Sequence, residues 1–140
     1  MKTTIELALL TSAFGQGCVA VLNLNLPRLM GWKPELTKMP LLLREVFQIH
    51  ALFISITLTI FALLTGRFAH EIAVGAEPVY RWLASGIGIF WGIRAILQVT
   101  YYSSSHWRGI PSRTAVHIVL LTVYGAWAGI YLLAAAKINL

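Results

Sequence analysis

The chain has 140 residues, 58% hydrophobic and 11% charged, with a formal net charge of +6 from eleven Lys/Arg against five acidic residues. A soluble domain carries about 25% charged residues, so this composition excludes an ordinary water-soluble fold and points to an integral membrane protein. In a soluble chain the positive balance would suggest nucleic acid. Here the basic residues scatter over loops and helix ends without forming a stripe, which fits membrane topology and anionic headgroups and excludes a nucleic-acid interface.

A hydrocarbon core of about 30 Å needs about 20 apolar residues per helix. The first such stretch is 5–27, IELALLTSAFGQGCVAVLNLNLP. A rival reading takes GQGC, ending at Cys18, as a lipoprotein cleavage site. Glu6 interrupts the apolar run that a signal peptide needs, so a span is expected. Cys18 is the single cysteine, which excludes an internal disulfide and any CxxC metal site.

A first loop with Pro34 and Pro40 leads to a second span over 41–66. The second loop, RFAHEIAVGAEP, places His70 between spans and precedes a third span over 79–102. The third loop, SSSHWRGIPSR, holds His106 and leads to a fourth span over 115–137. Pro27, Pro34, Pro40, Pro78 and Pro111 fall at or between span ends, where proline does least harm to a helix. The expectation is an all-α integral membrane protein, one domain of four transmembrane helices in a compact bundle.

Loops 1 and 3 with their flanks carry Arg28, Lys33, Lys38, Arg44, Arg108 and Arg113; the other side carries Lys2, Arg67, Arg81 and Lys137. That asymmetry places loops 1 and 3 in the cytoplasm. Gly88-x-x-x-Gly92 and Gly125-x-x-x-Gly129 offer small faces for close helix packing. Trp82, Trp107 and Tyr80 read as interfacial belt residues.

Arg94 stands inside the third apolar run, in FWGIRAILQVTYY. A charge in a span pairs, lines a wet cavity or snorkels to the headgroups. Trp91, Arg94, Gln98 and Tyr101 follow the spacing of one helix face, apart from the Gly88/Gly92 face. Asn23, Asn25, Arg44, Glu45, Gln48, His50, His117 and Tyr124 fall in the same leaflet half on the other helices. A polar pocket near loops 1 and 3 is therefore expected, with Glu45 as counter-ion to Arg94 or Arg44. His50 lies about 140° around its helix from Glu45. A haem between His50 and His117 is conceivable in such a bundle, although a structural histidine is the plainer reading. No Walker loop, HExxH, nucleophile elbow or paired acids at metal spacing is present in the sequence.

The start of the second span and the Arg94 region resemble the MAPEG family, small four-helix membrane proteins of eicosanoid and glutathione metabolism. The residues that carry the resemblance are Arg44 and Gln48 in one span, with Arg94, Tyr101 and Arg108 in and after another. Ala51 and Leu97 stand where the family has Glu and Tyr. The resemblance implies a trimer in which Arg44, Gln48, Arg94, Tyr101 and Arg108 would bind glutathione and an arginine would stabilise its thiolate.

The expected function is non-enzymatic: an accessory subunit or amphiphile-binding module with its polar pocket in one leaflet half. It would sit in the bilayer as a homo-oligomer or in a larger membrane complex, with no metal and no required cofactor. A MAPEG-like glutathione transferase acting on a lipophilic substrate is the alternative. A quinone- or haem-binding subunit, using His50, Trp91, Arg94 and His117, is the third reading.

Overall fold

A computed structural model of the chain describes residues 2–101 and 109–137. The elements are α1 (Lys2–Leu29), the short α2 (Lys33–Lys38), α3 (Leu41–Val74), α4 (Pro78–Thr100) and α5 (Pro111–Lys137). Four of them are long and apolar enough to cross a membrane. The four expected spans are thus present, and the protein is an all-helical, four-helix polytopic membrane protein.

Chain chemistry sets the helix ends. Pro78 and Pro111 open α4 and α5, where the missing N–H has no intrahelical partner to lose. Gly31 and Gly75 adopt φ of 66° and 68° just past α1 and α3, a left-handed conformation that glycine enters without a Cβ clash. The N–H groups of Gly75 and Ala76 both return to the Glu71 carbonyl, at 2.9 and 3.1 Å. Pro27 lies inside α1, near its end, and denies the Asn23 carbonyl its usual helical donor.

The second span differs from its expected length. It does not stop at Gly66: after a kink at Phe68 the helix resumes and runs to Val74, because no proline intervenes before the Gly75 cap. Phe68 marks a local break, with φ −113° and ψ 17°. His70 therefore lies on a helix, not in a loop. The third span ends at Thr100 and the fourth begins at Pro111, so both differ slightly from the expected boundaries.

The chain forms two compact units, Leu10–Arg67 and Met1–Leu9 with Phe68–Leu140. In the Leu10–Arg67 unit, α1 runs antiparallel to α3. A Cβ on Gly66 would lie 4.0 Å from the Ala13 Cβ. Ten residues further along α1, Asn23 Nδ2 donates to the Ala51 carbonyl and to Ser55 Oγ, both at 2.9 Å. Ser12, Ala13, Gln16, Ala20, Ser55 and Thr65 are buried. Small side chains of this kind let helix backbones approach and satisfy each other's polar groups where lipid offers none.

In the other unit, α4 and α5 form an antiparallel hairpin. A Cβ added at Gly88 would meet Leu132 Cγ at 2.8 Å and its backbone nitrogen at 3.2 Å. One turn on, a Cβ at Gly92 would meet the Ala128 Cβ at 4.0 Å. Gly88 is thus a point of close approach, while at Gly92 a methyl group would make only ordinary contact. The expected counterpart on α5 makes no such approach: nothing lies within 4 Å of a Cβ built at Gly125 or Gly129. Ala128 and Leu132, their neighbours on α5, make the contact with α4 instead.

Many large apolar residues, among them Phe14, Leu42, Phe53, Leu63, Ile89 and Val119, are exposed. Apolar residues left outward over whole helices match the solvent that a bilayer provides, not water.

Candidate functional site in the helix hairpin

The polar cluster that the structure assembles is built on α4 and α5. Arg94 Nη1 donates to Gln98 Oε1 at 3.0 Å, one turn along α4. Gln98 Nε2 lies 3.0 Å from His117 Nδ1 on α5. Arginine has only donors, so it fixes the amide with Oε1 toward itself and Nε2 toward the imidazole. His117 must then accept at Nδ1, which places its ring proton on Nε2. Gln98 is buried at 6% exposure, while Arg94 and His117 are half-buried.

An aromatic wall stands beside this row. The Arg94 guanidinium carbon lies 4.8 Å from the Tyr124 ring centroid, a cation–π distance. Tyr124 stacks on Trp91 at 5.1 Å, and Trp91 meets Trp127 edge-on at 4.6 Å. Trp91 is 2% exposed, and Tyr124, Trp127 and Tyr131 are buried with it. These rings bring large apolar area into a close-packed seam and orient the polar row at its edge.

Depth follows from helix geometry. Arg94 precedes the end of α4 by six residues and His117 follows the start of α5 by six, so each sits about 9 Å from its helix end. An arginine that close to a span end can snorkel toward the headgroups.

The expected faces of α4 need correction. Trp91 and Gln98 do not point away from Gly88. Ala84, Ile87, Gly88, Trp91 and Gln98 are buried together, and both Gly88 and Gln98 meet α5. The glycine and polar sets border one packed seam. Tyr101 leaves it: it follows α4 and is 80% exposed.

The remaining expected site residues lie on α3 in the Leu10–Arg67 unit. Arg44 is half-buried; Glu45, Gln48 and His50 are exposed. His50 Nδ1 is 2.8 Å from the Val46 carbonyl of its own helix, a local structural bond. Asn25 likewise bonds back to the Val21 carbonyl at 2.9 Å. Arg108, His106 and Trp107 lie outside the described residues. Among the described residues no group of three or more His, Cys, Asp or Glu side chains could hold a metal ion.

Two features escaped the sequence reading. One is the buried hydroxyl and amide set of Ser12, Gln16, Ser55 and Thr65, which bears no charge to flag it. The other is Glu6, whose Oε2 lies 3.1 Å from His70 Nδ1. That pair ties the start of α1 to the end of α3, and only the unexpected length of α3 makes it possible.

Comparison with protein-family models, curated proteins and solved structures yields no match.

Proposed function

We propose that the protein is a multi-pass membrane binding module, or accessory subunit, whose α4–α5 site takes the polar head of an amphiphile. The observation that carries this reading is the Arg94–Gln98–His117 row set against Trp91, Tyr124 and Trp127. A half-buried cation and imidazole would bind a carboxylate or carbonyl oxygen, and the adjoining apolar helix surface would receive the chain. The cytoplasmic side of loops 1 and 3, and assembly into a homo-oligomer or larger complex, belong to the same proposal.

Thermal melting in detergent tests it, with a long-chain carboxylate as the probe. Ligand at about 100 times Kd stabilises the folded state by about 2.7 kcal/mol, a shift of several degrees. Arg94→Gln should remove the shift and Arg94→Lys should keep part of it. An equal shift in all three proteins would place binding elsewhere and end the proposal. Glutathione is melted alongside: a shift from glutathione alone, lost in Arg94→Gln, would replace this reading with the transferase one at Arg44, Gln48, Arg94, Tyr101 and Arg108.

A further inference from the structure

We propose that a groove along α1 is a separate site for an anionic phospholipid, with one acyl chain in the groove and the phosphate on Arg28. The groove is a shallow, open strip of about 730 Å³ whose lining residues all lie on α1, a shape that suits a chain lying along the helix and not an enclosed ligand. Its wall runs through Ala13, Phe14, Gly17, Val21 and Leu22, and its polar residues, Asn25 and Arg28, stand together at one end. From Ala13 to Arg28 the helix rises about 22 Å. One leaflet's chain needs about 15 Å, half of the hydrocarbon core.

The polar end has the right charge. Arg28 is exposed, and its guanidinium has no ion pair or side-chain hydrogen bond among the described residues. Arginine binds phosphate through two parallel N–H donors. Asn25 uses Nδ2 on the Val21 carbonyl, and an amide nitrogen carries a second N–H. A helix C-terminus ordinarily repels an anion through its unsatisfied carbonyls. Here the N–H groups of Met30, Gly31 and Trp32 already occupy the Leu26, Arg28 and Pro27 carbonyls. Arg28 therefore supplies the attraction, and the order of residues along α1 sets the lipid's direction, with head at Arg28 and tail toward Ala13.

A lipid fits these observations better than a partner helix. A partner helix would have to bring its own carboxylate to Arg28, whereas a phospholipid carries its anion beside its chain.

Cys18 lies in the groove wall, is exposed, and is the chain's single cysteine, so its alkylation reports occupancy of the groove directly. Delipidated full-length protein in detergent is treated with N-ethylmaleimide, alone and with dioleoyl phosphatidylglycerol, the same-chain phosphatidylcholine, or glycerol phosphate. Phosphatidylglycerol at about ten times Kd should slow the reaction about tenfold. Phosphatidylcholine should protect less and glycerol phosphate not at all. Arg28→Gln should erase the difference between the two lipids, and Arg28→Lys should retain part of it. Val21→Phe, which fills the groove and keeps Arg28, should abolish protection by phosphatidylglycerol. Equal protection by the two lipids in the wild type, protection unchanged in Arg28→Gln, or no protection by either lipid would overturn the proposal. Protection by glycerol phosphate alone would reduce the site to a phosphate contact. Protection that grows with protein concentration without lipid would hand the groove to a second copy.

Discussion

Replacing Gly88 by alanine adds one methyl group, and the hairpin geometry says what it meets. The new Cβ would stand 2.8 and 2.9 Å from Leu132 Cγ and Cδ2, and 3.2 Å from the Leu132 backbone nitrogen. The leucine side chain can swing away, but the backbone contact requires α4 and α5 to separate. Overpacking of this kind costs about 1–3 kcal/mol. Removing a helical glycine returns about 0.5–1 kcal/mol through chain entropy. The net expectation for Gly88→Ala is a loss of about 1–2 kcal/mol.

Gly125→Ala is the same chemical change on the partner helix, with nothing within 4 Å of its Cβ. It should be neutral or stabilise by up to about 1 kcal/mol, so the two variants differ by about 2 kcal/mol. Reversible unfolding in mixed micelles, followed by tryptophan fluorescence, reads this difference. Trp91 and Trp127 lie in the hairpin seam and report its opening. Leu132→Ala should recover part of the loss in the Gly88→Ala background but not in Gly125→Ala, a coupling that contact predicts. Equal effects of the two glycine substitutions would refute the close approach of α4 to Leu132.

Asn23→Ala removes that side chain's two bonds to α3, at Ala51 and Ser55, and should cost about 0.6 kcal/mol, and at most about 1.7 kcal/mol, per interhelical bond. The same micelle titration measures it, and no change would mean that these bonds add nothing to the helix pair. His117 should appear in nitrogen NMR as the neutral ring protonated at Nε2, since Gln98 presents Nε2 to its Nδ1. A neutral ring protonated at Nδ1 would show that the Gln98 amide is reversed and that Arg94 does not orient it.

The spans were legible because a bilayer demands long apolar runs, and nothing else in 140 residues with 11% charge supplies them. Helix ends were less so. Gly66 looks like a terminator, yet α3 passes it and breaks only at Phe68, two residues later. Gly75, with its positive φ, ends α3. The sequence presents the same residue type at both places, and only the backbone conformation separates them. The α5 glycines show the same limit: spacing marks a smooth face but does not say which face a partner meets. Arg94, Gln98, His117 and Tyr124 were legible as polar residues at one depth. Their joining through Gln98 was not, because it depends on the rotation of α4 against α5.

That rotation also decides how a charge is held inside an apolar helix. Gln98 places a neutral amide between Arg94 and His117, and Tyr124 offers its ring face to the guanidinium. A carboxylate in Gln98's place would cancel the arginine charge and leave little pull on an incoming anion. An amide orients the guanidinium and adds no charge of its own. Packing residues thereby become part of the binding reading: Trp91 fixes Tyr124 by stacking, and Gly88 permits the approach that brings Gln98 to His117. Loosening the seam at Gly88, well away from Arg94 along α4, should therefore weaken ligand binding at the Arg94 end as well as stability. A simple surface arginine, snorkelling alone, would show no such coupling.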